Sequence, residues 1–127
     1  MKHSGLKRII ILSSLLMAFL AVVPAGSQAE ILKQVKTENV CMVNDEDMGK
    51  PQVPIEVKGK TYYGCCAMCV SSLTNDLKAR QSVDPVSGHV VDKSDAIIGA
   101  KADGSVLYFE NKATFAAYQS ATKGEVP

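Results

Sequence analysis

The chain carries four cysteines, and three of them fall inside YYGCCAMC, residues 62–69, as Cys65, Cys66 and Cys69. The fourth, Cys41, stands upstream. Thiols clustered in this way can form structural disulfides, exchange disulfides through a C-x-x-C pair, or hold a soft metal ion as thiolates. Thiolate sulfur is polarisable and a strong donor, which suits Cu(I) and Zn(II). Cys66-Ala67-Met68-Cys69 is a C-x-x-C, but a thioredoxin-like oxidoreductase needs a βαβ pattern around it and a longer chain. Disulfides are the ordinary reading in an oxidising compartment. Here adjacent Cys65 and Cys66 are poor partners for each other, and three thiols at one turn cross-link little of the chain. Met42 and Met68 flank the cysteines and are candidate thioether ligands. His89, the one histidine beyond residue 30, is a candidate nitrogen ligand.

The first residues bear on the compartment. Lys2, Lys7 and Arg8 precede an apolar stretch of 15 residues, Ile9 to Val23, and Ser27-Gln28-Ala29 places small residues where a signal peptidase cuts. Residues 1–29 are therefore expected to be a signal peptide, leaving a periplasmic or otherwise secreted chain with no stable membrane span after cleavage. Residues 30–127 hold 11 Lys+Arg against 13 Asp+Glu, a net charge of −2. That balance gives no electrostatic case for a nucleic-acid partner.

The elements that must position the thiols follow from pattern. Residues 30–40 are a polar lead-in segment. Cys41 opens an acidic, turn-rich stretch, MVNDEDMGKPQ, which departs from a calcium-binding EF-hand loop because Gly49 is one place early and Pro51 intrudes. VPIEV and KTYY around Lys58-Gly59 read as a hairpin. Beyond it Cys66, Cys69, Val70, Leu73 and Leu77 recur on one face of an amphipathic helix, so the cysteines sit where a strand meets a helix N-terminus. The pattern then repeats. With a shift of 45 residues, Gly59 meets Gly104, Tyr63 meets Tyr108, Val70 meets Phe115 and Leu73 meets Tyr118, while Cys65, Cys66 and Cys69 meet Glu110, Asn111 and Thr114. Asn111 is an expected helix N-cap. The expected fold is α+β, built of two tandem ββα (hairpin–helix) units, a cysteine-containing one at 41–80 and a cysteine-free one at 84–121.

Cys41 followed by GKTYYGCCAMC resembles the TRASH and YHS group of small metal-binding domains, in which a leading Cys precedes a Cys-x3-Cys placed after a G-K-x-Y-Y strand. Asp84-Pro85-Val86-Ser87-Gly88 with Val91-Asp92 resembles the opening of the YHS form, with Ser87 at its Cys and His89 at its Met. The resemblance implies treble-clef-like units and a role in heavy-metal homeostasis. It implies Cys41, Cys65 and Cys69 as ligands of Cu(I) or Zn(II); Cys66 departs from the family, which often has a small polar residue there, and is expected to assist or substitute as a fourth thiol. It also implies a metal-transport or metalloenzyme protein as a partner, and no enzymatic activity. The rival expectation is a structural or partner-binding module whose cysteines serve the fold.

Overall fold

The computed structural model describes residues 30–124, so the expected signal peptide lies outside the described residues. In chain order the elements are β1 (Lys33–Gln34), β2 (Val40–Cys41), β3 (Glu46–Asp47), β4 (Val53–Val57), β5 (Lys60–Gly64), α1 (Ala67–Asn75), β6 (Gln81–Val83), β7 (Val90–Asp92), β8 (Ile97–Ala100), β9 (Val106–Phe109) and α2 (Lys112–Lys123). Every strand pairing is antiparallel: β2–β3, β4–β5 and β6–β7 are two-stranded, and β1–β8–β9 form a three-stranded sheet. The class is α+β, as the alternation of short β-prone runs and helical periodicity predicts.

The β4–β5 hairpin closes through Lys58 and Gly59, with φ of 51° and 78°. Two consecutive left-handed residues make the turn whose twist matches that of paired strands. Glycine takes this conformation freely, whereas lysine does so at some cost. The chain then enters α1, which ends at Asn75, earlier than the apolar spacing predicts, leaving Leu77 exposed. Polar groups stop it. Asp76 accepts the Lys78 amide to start the next turn, and the buried Arg80 guanidinium donates to the carbonyls of Leu73 and Thr74. Those carbonyls have no partner within the helix, so Arg80 supplies one.

β8–β9 leading into α2 repeats β4–β5 leading into α1. α1 begins at residue 67 and α2 at residue 112, the 45-residue shift read from the sequence. The N-cap residues share one backbone conformation: φ −156°, ψ 174° at Cys66, and φ −162°, ψ 174° at Asn111. Asn111 Oδ1 accepts the amides of Ala113 and Thr114. In the second copy Phe109, fully buried, meets Phe115 and Tyr118 edge-to-face at 5.2 and 5.6 Å between ring centroids. The first copy has Gly64, Val70 and Leu73 at these places.

One hydrophobic cluster draws on both copies. Val40, Met42, Ile55, Tyr62 and Leu73 pack with Val91, Ile98, Val106 and Tyr108. The lead-in segment packs Val35 against it; Leu32 is buried beside Gly99, β1 pairs with β8, and Gln119 on α2 bonds both the amide and the carbonyl of Leu32.

Asp84 is the main buried polar tie of the second copy. Its carboxylate is fully buried and accepts the amides of Val86, Ser87 and Glu110. Burial opposes its ionisation, but these amides and the Thr114 hydroxyl outweigh it and hold the carboxyl below its ordinary value. A carboxyl depressed in the folded state stabilises it above the unfolded value, near 3.9, and that contribution is lost as pH falls through the folded value. Asp84→Ala should destabilise the protein by about 3 kcal/mol at neutral pH by orphaning buried amides. Urea unfolding followed by circular dichroism from pH 7 to pH 3 checks both points. Asp84→Asn should show a flatter decline below pH 4 than the wild type.

Candidate metal centre

Three separate elements bring sulfur to one point. Cys41 ends β2, Cys65 follows β5 directly, and Cys69 lies in the first turn of α1. The Sγ atoms of Cys41, Cys65 and Cys69 all lie within 4.8 Å of one another. Cys69 is central, 3.8 Å from Cys41 and 3.6 Å from Cys65. Two thiolates on one ion at a metal–sulfur distance of about 2.3 Å stand about 3.8 Å apart at a tetrahedral angle and about 4.0 Å apart at a trigonal one. The spacing therefore fits a shared metal ion. All four cysteines are free thiols.

Burial divides the set. Cys41 and Cys69 are 0% and 4% exposed, whereas Cys65 and Cys66 are on the surface. Cys65 also borders an open groove of about 550 Å³ lined by Met48, Lys50, Pro51 and Val53. Cys66 Sγ lies 3.4 Å from Cys69 but does not belong to the mutually close trio.

Gly64 permits this convergence. A Cβ built on it would stand 2.6 Å from the Cys69 Cβ and 3.5 Å from Leu73 Cδ1. The end of β5 can approach the first turn of α1 this closely only without a side chain. Cys41 is placed from the other side, by the second copy. The loop after it contains Asp45 in a left-handed conformation, φ 53°. Lys93, 4% exposed, donates to the Met42 carbonyl at 2.7 Å and to Asp45 Oδ1 at 2.6 Å. The Tyr108 hydroxyl donates to the same Asp45 oxygen at 2.8 Å, and the Lys93 ammonium lies 5.0 Å from the Tyr108 ring centroid. Main-chain bonds from Val106 to Asp45 and from Asp47 to Gly104 complete the seam.

The thiols share protons. At Cys41 burial opposes ionisation, but the amides of Asn44 and Val43 and the Cys65 side chain outweigh it and hold the thiol below its ordinary value. Cys65 is pushed up to about 12, first by its bond to Cys41 and then by Cys69. Cys66, at the N-cap, is lowered first by the Cys69 amide and then by the Cys69 side chain, with the Met68 amide adding to this. Cys69 is raised, mainly by burial and then by Cys66. Free amides at a helix N-terminus favour anionic sulfur, so the two copies put different acceptors at one position: amide oxygen at Asn111 and sulfur at Cys66.

Met42 is fully buried in the hydrophobic cluster, and Met68 is 80% exposed on the first turn of α1. His89 pairs its Nδ1 with Glu110 at 3.0 Å in the second copy. Shifted by 45 residues this pair falls on Asn44 and Cys65, whose side chains also meet, at 3.7 Å. Sequence reasoning took the Asp45 loop as solvated and assigned no role to Lys93. No local pattern marks Lys93, which directly follows Val90–Asp92, as buried. Comparison with protein-family models, curated proteins and solved structures returned no match.

Gly64→Ala should force β5 and α1 apart, destabilising the protein by about 2 kcal/mol and weakening metal binding, as read by denaturation and competition titration. Lys93→Met should cost about 2 kcal/mol, below the usual loss for a broken buried pair because Asp45 is 45% exposed. It should also lower metal affinity with all thiols intact, which the same titration measures.

Proposed function

We propose that this is an exported, non-enzymatic metal-binding protein of TRASH/YHS type, with treble-clef-like units, that carries one thiophilic ion as cargo at Cys41, Cys65 and Cys69. The observation that carries the reading is the convergence of three sulfurs from three chain segments to within 4.8 Å. Three thiolates satisfy trigonal Cu(I), and Zn(II) needs one more donor, from water or Cys66. The export assignment rests on the residue pattern of 1–29 alone. No helix among the described residues is long and apolar enough to cross a membrane.

The rival reading, thiols that merely secure the fold, has less support. The second copy makes the same hairpin–helix junction with no cysteine, using Asn111 and an aromatic cluster. That junction is stable by packing and capping, so folding alone gives no reason for four thiols in the first copy. The role in metal trafficking, sensing or resistance follows from the resemblance, as does a metal-transport or metalloenzyme partner.

The test is competition titration of the reduced protein with Cu(I) and Zn(II) against calibrated chelators. Loss of an outer-shell group commonly costs 10–100-fold in affinity, so Cys41→Ser, Cys65→Ser and Cys69→Ser should each cost about a hundredfold or more. Cys65, pushed up to about 12, is protonated at neutral pH and must release its proton to bind. Affinity should therefore rise with pH, by about tenfold per pH unit for each proton released. Wild-type protein that binds neither ion tightly would overturn the reading.

A further inference from the structure

Cys66 is the thiol that the trio leaves over. It is exposed, its Sγ lies 3.4 Å from the buried Cys69, and it stands outside the mutually close set. At the N-cap its sulfur feels the Cys69 and Met68 amides but is too weak an acceptor to make a cap hydrogen bond, whereas its counterpart Asn111, on nearly the same backbone, caps two amides. Asparagine is among the best N-cap residues. The first copy therefore has a weaker helix start and a sulfur beside a metal-sized trio. Its neighbours on the surface are Cys65, the groove at Cys65, and Met68 at 80% exposure. Opposite them Cys41 is wholly enclosed and tied through its loop to Lys93 and Tyr108.

This asymmetry gives the cluster an inner and an outer side. We infer that Cys66 is the exchange thiol of the centre, through which bound metal passes to an acceptor offering two or more soft sulfur ligands. The inference rests on the metal-binding reading above. In the exchange a bond from Cys66 Sγ to the ion forms as the bond from Cys41 Sγ breaks. Cys66 gives up its thiol proton and the released Cys41 thiolate takes one up, so charge is conserved and the ion keeps its oxidation state. The ion then rests on Cys65, Cys66 and Cys69, two of them exposed, where incoming thiolates displace them one at a time. Each step makes one bond as it breaks another, so the ion is never bare. Cys41 and its rigid loop favour the inward position for storage, and Cys66 provides the way out.

The experiment compares affinity with transfer rate. Wild-type protein, Cys66→Ser and Cys66→Asn are loaded with one equivalent of Cu(I). Equilibrium affinity is measured by competition, and transfer to a bidentate chromogenic chelator is followed by stopped flow. Cys66→Asn restores the cap of the second copy, so it should fold at least as well as the wild type. Both variants should keep their affinity within about threefold and transfer about tenfold more slowly or worse, because a transition-state contact is lost and a ground-state one is not. Transfer as fast as wild type overturns the inference. So does a loss of affinity as large as that of Cys41→Ser, which would make Cys66 a resident ligand. A wild type that binds no Cu(I) would instead sink the metal-binding reading itself, a result distinct from both.

Discussion

A single buried ammonium holds the loop that carries Cys41. Lys93 comes from the thiol-free copy, yet its Nζ reaches the Met42 carbonyl and the Asp45 carboxylate beyond it. A buried charge costs several kcal/mol unless its hydrogen bonds are met, and here a carbonyl, a carboxylate and an aromatic face meet them. Asp45 reaches these partners from a left-handed backbone, a strained conformation for a non-glycine residue that persists only where its surroundings demand it. The loop therefore has one arrangement, and the sulfur of Cys41 points at Cys69 because the chain on its far side is pinned.

The two copies divide the work along this seam. The first presents reactive atoms on short strands and a nine-residue helix whose cap makes no side-chain bond. The second presents a capped twelve-residue helix, the two strands onto which β1 pairs, and the buried carboxylate of Asp84. A binding site is only as precise as the shell that fixes its side chains. In this chain that shell is supplied largely by a diverged repeat of the site's own architecture, and Tyr62, Tyr108 and Ile98 in one shared core lock the two together.

Much of this was legible in the sequence for local reasons. The Lys58-Gly59 turn, the apolar spacing of Cys69, Val70 and Leu73, and the Asn111 cap are short-range signals, and each marks an element that forms. The closeness of Cys65 and Cys69 follows from a strand end feeding the first turn of a helix. Long-range ties left no such mark. Lys93 and Asp45 are far apart in sequence, and each alone looks like an ordinary surface charge. Arg80 carries no local sign of the burial in which its guanidinium closes the end of α1. The end of α1 itself was misjudged because Leu77 fits the apolar period, whereas Asp76 competes for the backbone with a side-chain bond. The lead-in segment reads as polar, yet Leu32 and Val35 pack, β1 pairs with β8, and Gln119 ties Leu32 to α2.

The aromatic junction of the second copy bears on how long the protein lasts. Small metal-dependent folds commonly lose their shape with their ion, and an emptied molecule of that kind is spent. Here Phe109, Phe115 and Tyr118 close one strand–helix corner by ring packing, with no cysteine in it. Loss of any ion held by the trio would leave that corner standing. The second copy thus works as a keel, whose shape does not depend on whether the three sulfurs are occupied.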